Sequence, residues 1–416
     1  MGGTNAMLAA VLALAFAMNM LGRGATEAFA VFLLPVEKAL GASRSEISSV
    51  YSLFMLVIGL AGPVAGTVFD RLGARVSYVS GLVLLGSGMI IAGQATSIAH
   101  FAFAVGLMAG LGVAMLGMVS ANALLSRWYQ ARLGTAIGIT YAATGFGVLV
   151  MAPVAQILID TYGWREAYRL IGIALLGIAM ATALLPLSRM WHGSPEWQHR
   201  RATQEARMGG WTIFNAARTQ PFWSLALVYF LTSVASFSVS PQAVAAMVEA
   251  GISPLTAAGA FGLCGMLSLI GNASIATLVD RFGQRMTISL SYMGTMIGIL
   301  CLAALPSHPS LALVYGWVLL FGINQGTRGP IISTLVATLY AGGGVGRVYG
   351  SIALGMGFGA AFGSWISGVL HDLTGGYLAS FLLAATSAGI GMMTFWTVTL
   401  LNDARRAAEP VPTKGA

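Results

Sequence analysis

Charged side chains are scarce in this sequence. Asp, Glu, Lys and Arg together make up only 8% of its 416 residues, where an ordinary soluble domain carries about 25%. A chain so poor in charge cannot solvate a globular surface, so a soluble enzyme or a nucleic-acid-binding module is excluded. Cysteine is scarcer still: Cys264 and Cys301 are the only two, and both fall inside apolar runs. That excludes a disulfide framework and a zinc site. The five histidines form no cluster, with His100, His308 and His371 near span ends and His192 and His199 in a polar stretch. No nucleophile–base pair, metal cluster or phosphate loop is present, so neither catalysis nor a cofactor is implied.

What the chain has instead is apolar length. Hydrophobic residues make up 57% of it, and the mean hydropathy is +0.81. Its 54 glycines and 21 methionines suit closely packed transmembrane helices, where small residues let backbones approach. A bilayer core of about 30 Å takes roughly 20 apolar residues to cross as a helix. Runs of that size are predicted near 7–34, 45–69, 76–96, 99–126, 132–160 and 166–187, and again near 221–248, 256–279, 286–305, 309–340, 346–371 and 377–401. The reading is an all-α polytopic membrane protein of twelve spans. It divides into a six-helix half (1–187), a connector (188–220), a second six-helix half (221–402) and a short tail (403–416). Within the connector, 211–218 can form a short interfacial helix before Pro221. The first run lacks the basic flank of a signal peptide and is too long for one, so it is expected to stay as a span.

Basic residues set the orientation. With both termini inside, 15 of the 21 fall in inner segments and four outside (Lys38, Arg44, Arg165 and Arg169). The other two, Arg23 and Arg328, lie within spans. This asymmetry gives N-in, C-in by the positive-inside rule. It also accounts for the net charge of +8 through contact with anionic lipid rather than nucleic acid.

The two sets of six are related. Gly66-Thr67-Val68-Phe69-Asp70-Arg71-Leu72-Gly73-Ala74-Arg75 recurs as Ala276-Thr277-Leu278-Val279-Asp280-Arg281-Phe282-Gly283-Gln284-Arg285, 210 positions later. A second pair, Asp160-Thr161-Tyr162-Gly163-Trp164-Arg165 and Asp372-Leu373-Thr374-Gly375-Gly376-Tyr377, is offset by 212. Near-equal offsets indicate a duplicated architecture, a signature of secondary transporters.

The twelve-span pattern with its Gly66…Asp70-Arg71-x-Gly73-x-Arg75 loop resembles the major facilitator superfamily over essentially the whole chain. Finer features are similar to its monocarboxylate-transporter and oxalate/formate-antiporter branch. They are Arg127-Trp128-Tyr129…Arg132 leading into a Gly-rich fifth span, Arg218-Thr219-Gln220-Pro221-Phe222-Trp223 before the seventh, and Asp372-x-Thr374-Gly375-x-Tyr377 after the eleventh. The sequence departs from that branch at two places. Asn272 stands where the eighth span commonly carries an arginine, and Met356 lies near the place of the antiporter's lysine. The resemblance implies that the first and tenth spans both line a central cavity.

Ionisable groups inside a span default to function. Here they are Arg23 and Glu27, one helical turn apart on the first span, and Arg328 on the tenth. The internal repeat sets Arg328 opposite Gly117 of the fourth span, so the shared scaffold does not require an arginine there. The three charges sum to one surplus positive charge, which suits one carboxylate, and an arginine fork binds carboxylates bidentately. The expected solute site is therefore Arg328 and Arg23, with Asn324, Gln325, Asn122 and Tyr141 as lining residues. Pairing of Arg23 with Glu27 alone, and packing of the amides and the tyrosine, are the plainer readings. Glu27 is the candidate for proton coupling, because burial raises a carboxylate pKa while a nearby arginine lowers it. Asp70, Arg71 and Arg75, with Asp280, Arg281 and Arg285, are expected to act as gate elements at the inner face.

These residues predict a secondary active transporter that moves a small organic monoanion, a monocarboxylate, by alternating access with a proton. It is expected to be monomeric and to sit in a bacterial inner membrane. Anion exchange, drug or other solute efflux, and a non-transporting receptor are the alternatives. Two central arginines speak against cationic drugs.

Overall fold

The computed structural model describes residues 2–129, 133–194, 212–340 and 345–408. Nearly all of these are helical, and no strand occurs among them. Among the described residues nine helices are long and apolar enough to cross a membrane, and two of the nine hold two spans each. Arg44–Ala92 has 49 residues and Leu133–Leu184 has 52. At 1.5 Å per residue each is over 70 Å long, about twice the hydrocarbon core. Both fold back at a glycine, Gly73 (φ 91°, ψ 167°) and Gly163 (φ 80°, ψ 161°). The remaining crossing, the tenth in chain order, comes from two shorter helices, Leu311–Gln325 and Arg328–Leu339, which together form one broken span. Twelve spans therefore stand as the sequence predicts.

The duplication is visible in the backbone. Gly283, the partner of Gly73, also has a positive φ (76°, with ψ 159°), and so does Gly375, the partner of Gly163 (φ 69°). This region of backbone space is open essentially to glycine alone, so the Asp-Arg-x-Gly turn needs glycine at that place in both copies. A second correspondence lies in the helix breaks. The fourth span runs from Ile98 to Trp128 and is interrupted at Gly117 (φ −74°, ψ −170°). The tenth is interrupted between Gln325 and Arg328. Gly117 and Arg328 are the two positions that the repeat aligns. The seventh span also breaks, between Gln220–Phe237 and Ser240–Glu249, whereas the first span, Gly2–Leu40, is continuous.

Within the first half, the first span packs along the Leu133–Leu184 helix, which also packs against Arg44–Ala92. The halves meet where Arg44–Ala92 packs along Val345–Thr374, and where Pro254–Phe282 packs along Leu133–Leu184. Small residues make both contacts close: a Cβ on Gly59 would lie 3.2 Å from the Cα of Gly357, and one on Gly145 would strike the carbonyl of Gly265. Such approach maximises dispersion between helices that gain nothing hydrophobic from leaving lipid.

The connector lies mostly outside the described residues, as do Arg132 and the end of the tail. Its first residues, Leu187–Trp191, are helical and pack back on the first half through Trp191 Nε1, which donates to Phe69 O at 3.0 Å. Of the interfacial helix expected over 211–218, Ile213–Ala217 is helical and capped by the Thr212 side chain.

Candidate functional site

The structure brings Arg23 and Glu27 together at 2.7 Å, one turn apart on the first span. Their environments differ: the Glu27 side chain is buried, and that of Arg23 is 34% exposed. Arg23 also lies 6.0 Å over the ring of Phe237 on the seventh span, so it sits between the halves. Tyr51, on the second span, is fully buried within electrostatic reach of both residues. Its hydroxyl has no hydrogen-bond partner.

Arg328 is placed differently from the sequence expectation. Its side chain is buried (2% exposed) and turns into the second half rather than toward the first. The guanidinium lies 4.2 Å over the ring of Tyr292 on the ninth span and donates through Nη2 to Thr295 Oγ1 and Ser291 O. Tyr292 is held by Thr232 of the seventh span at 2.6 Å. No carboxylate meets Arg328 among the described residues, and its Nε and Nη1 have no hydrogen-bond partner. A buried charge in that condition is rare, because desolvation goes uncompensated. Arg328 is also the first residue of its helix, so the unpaired N–H groups and positive dipole end of that helix lie beside it at membrane depth.

The four lining residues do not converge on one point. Asn324 donates to Leu320 O at 2.7 Å and its amide fills the space over Gly294 of the ninth span, on the same side as Arg328. Gln325 reaches Ser240 at the seventh-span break, at 3.4 Å. Asn122 is partly buried in the fourth span with its side-chain oxygen unpartnered. Tyr141 is 41% exposed and within electrostatic reach of Tyr349, whose hydroxyl is 2.8 Å from that of Tyr229. Asn272 packs its amide against Gly326, at the break in the tenth span. The void bounded by Thr26, Phe29, Phe54 and Tyr168 lies inside the first half and is lined mainly by apolar groups, so it is packing space rather than a solute path.

At the inner face the two copies of the turn differ. Asp70 pairs with Arg127 at 2.6 Å, and Arg75 donates to Leu185 O at 3.0 Å, while Arg71 is exposed. In the second copy Asp280 and Arg281 are exposed, Arg281 lies 5.6 Å over Phe282, and Arg285 is partly buried. Among the described residues Asp280 has no ion-pair partner.

Among the described residues an extended polar assembly lies at the outer face, where the sequence motif with Asp372 and Tyr377 gave no indication of the contacts made. Arg44, at the start of the second span, is 3% exposed. It reaches Glu37 at the end of the first span (3.1 Å) and Glu249 at the end of the seventh (2.6 Å). It also donates to Gln242 (3.2 Å) and to the Tyr377 hydroxyl (2.9 Å). Asp372, from the end of the eleventh span, accepts from the backbone N–H of Arg44 (3.1 Å) and of Ser45 (2.9 Å). A carboxylate there meets the positive end of the second span's helix. Gln242 is fully buried and donates to Ser48 at 3.1 Å and Ser367 at 3.3 Å. This network ties the halves together across the outer face. In the sequence Arg44 stands six positions from Lys38 and counts only for topology, and Asp372 and Tyr377 stand out only as parts of a repeated segment.

Comparison with known proteins agrees with this architecture. A family model described as the Major Facilitator Superfamily matches residues 12–278 and 225–416. Monocarboxylate transporter 13 of Rattus norvegicus is 27% identical over 387 residues, covering 91% of this chain and 86% of the relative. Monocarboxylate transporter 11 of Homo sapiens is 29% identical, covering 90% and 79%. A Bacillus subtilis (strain 168) protein, described as an uncharacterized MFS-type transporter, is 24% identical and covers 92% of each chain. In solved structures the D-xylose–proton symporter superposes with a TM-score of 0.72 at 16% identity, over 93% of this chain and 96% of that one. The matched fold, the paired turns and the twelve crossings lead to one conclusion: the chain is an integral membrane transporter that belongs to the Major Facilitator Superfamily and is related within it to the monocarboxylate transporters.

Proposed function

We propose that this transporter moves a small organic monoanion, a monocarboxylate, by alternating access in symport with a proton, in a bacterial inner membrane. The observation that carries the reading is the buried guanidinium of Arg328, which among the described residues has no acid partner and two nitrogens unpaired. It stands at the N-terminal end of a half-helix whose dipole also favours negative charge. Helices broken at matching positions of two repeats are where transporters of this architecture build solute sites, and the breaks here are at Gly117 and beside Arg328. The named substrates of the relatives point the same way.

Arg23 is the cation that a solute meets between the halves, since it is the part-exposed member of its pair. A carboxylate that binds Arg23 competes with Glu27, and the released Glu27 is the group that carries the coupled proton in this reading. That exchange of partners links anion and proton in one site. Arg328 reaches the solute by turning off Tyr292 about the break at Gly326 and Thr327. Asn324, Gln325, Asn122 and Tyr141 supply polar contacts along the path. The Arg44 network closes the outer face of the described state, and the charged turns at Asp70 and Asp280 act on the inner side.

The 2.7 Å ion pair between Arg23 and Glu27 also supports a second reading. If the pair never opens, Glu27 carries no proton and the protein exchanges one anion for another. Proteoliposome uptake of labelled small carboxylates, with and without an inward proton gradient, separates the two. Gradient-driven uptake that is lost in Arg23→Gln and Arg328→Gln supports symport, and uptake only against a preloaded anion supports exchange. Absence of carboxylate flux under both conditions would remove the monocarboxylate assignment.

A further inference from the structure

The outer network holds more acid than base, and the surplus depends on whether the halves are closed. Glu37 and Arg44 both belong to the first half, and their pairing at 3.1 Å needs nothing from the second. By themselves they are neutral. Closure brings in Glu249 and Asp372 from the second half, and both act electrostatically on Glu37. Glu249 takes the Nη2 nitrogen of Arg44 at 2.6 Å, so Glu37 shares the counterion it held alone. The closed assembly has three carboxylates around one guanidinium that is itself buried.

The three acids are not equivalent. Asp372 is held as an anion by the backbone N–H groups of Arg44 and Ser45 at a helix N-terminus. Glu249 keeps the short contact to the guanidinium and is 41% exposed. Glu37 is the less exposed of the two glutamates, at 21%, and shares its guanidinium with Glu249. Of the other titratable groups in the assembly, His371 acts electrostatically with Arg44, Glu249 and Asp372, and Tyr377, whose ring is 4.7 Å from that of His371, accepts from Arg44. Lys38 is exposed, and Glu46 is engaged with the backbone of Ser43 at 2.8 Å.

We propose that the closed outer gate is a proton-binding site, in which Glu37 takes a proton from the outer aqueous phase as Glu249 and Asp372 close onto Arg44. The proton adds to a Glu37 carboxylate oxygen, which lowers the net charge of the cluster from −2 to −1, and it leaves to the same side when the gate reopens. The linkage has a definite sign. The closed state binds the proton more tightly than the open one, so acid outside favours closure and alkali favours opening, by up to about tenfold per pH unit for one proton. Glu37 lies ten residues from Glu27 on the same helix, about 15 Å along its axis, so the gate proton is separate from the one assigned to Glu27.

The proposal rests on alternating access and not on the identity of the solute, so its test contains no carboxylate substrate. Spin labels at Thr96 and Ser307, exposed outer residues of the two halves, would be introduced as cysteines with Cys264 and Cys301 replaced by alanine. Distance distributions by pulsed electron paramagnetic resonance, recorded from about pH 5 to about pH 8, report opening of the outer face. The short-distance population is expected to rise with acid in the otherwise unaltered protein. In Glu37→Gln it is expected to stay high at every pH, and in Glu249→Gln to lose most of its pH dependence. His371→Asn, which removes the neighbouring titratable ring, is expected to keep the dependence. A distribution indifferent to pH in the unaltered gate, an unchanged pH response in Glu37→Gln, or loss of the response in His371→Asn would each overturn the proposal.

Discussion

Asp70 and Arg127 meet at 2.6 Å at the inner end of the first half, although the exposed acid contributes least to holding the arginine in place. The guanidinium lies between the rings of Phe69 and Trp191, 5.2 Å from each, and donates to Trp191 O at 2.8 Å. The Asp70 side chain is 65% exposed and that of Arg127 is 5% exposed. An ion pair with one solvated partner is weak, whereas a buried guanidinium with aromatic faces and a carbonyl is held by several contacts at once.

Asp70→Asn should therefore cost at most about 1 kcal/mol of stability, and Arg127→Ala about 2–4 kcal/mol. Thermal unfolding of the purified protein in detergent measures both. A reversed order would show that the ion pair, not the stacking, fastens the turn.

Arg328→Met should raise the unfolding temperature while abolishing anion flux. Replacing an uncompensated buried charge with an apolar side chain of similar length often stabilises by about 1–4 kcal/mol, and the same change removes the proposed anchor. Loss of stability in this variant would mean that the contacts with Tyr292, Thr295 and Ser291 already compensate the charge.

Gly283→Ala isolates backbone strain, because nothing lies within 4 Å of the added Cβ and the residue has φ 76° and ψ 159°. A cost of about 1–3 kcal/mol is expected. Gly73→Ala should cost at least as much, with the Trp191 ring 3.6 Å from its Cβ. Denaturation of both variants would reveal whether the two turns are energetically equivalent copies.

Gly59→Ala places a methyl 3.2 Å from the Cα of Gly357, on the other half, whereas Gly62→Ala meets only the end of Val119 at 3.9 Å. Initial uptake rates should fall several-fold in the first variant and stay close to the original in the second. Equal rates would mean that the halves are not in close contact during the cycle.

The twelve crossings and the duplication were legible because they are repeated or extended signals: apolar length, basic residues on one side, and glycine at matched turns. The fine state of the site was not. Arg328 reads as a central cation from its position in a run, but its rotation toward Tyr292 depends on helix phase, which a break at Gly326 resets. Arg23 and Glu27 pair as their four-residue spacing implies, because that contact is local. The Arg44 network joins positions 37, 44, 242, 249, 372 and 377, and only packing of the two halves brings such distant residues together. Asp372 and Tyr377 did stand out, as parts of a repeat, without any indication of what they contact.

The breaks at Gly117 and at Gly326 and Thr327 have a consequence for hydrogen exchange. Amides in an unbroken helix within a bilayer are bonded along their whole length and sealed from water, so they exchange only when the helix opens. A helix restarting at membrane depth has first-turn N–H groups without intrahelical acceptors. Residues 118–120 and 328–329 should therefore take up deuterium faster than their neighbours on the same spans; Pro330 has no amide hydrogen to exchange. They form two quick-exchanging patches in halves that are otherwise slow.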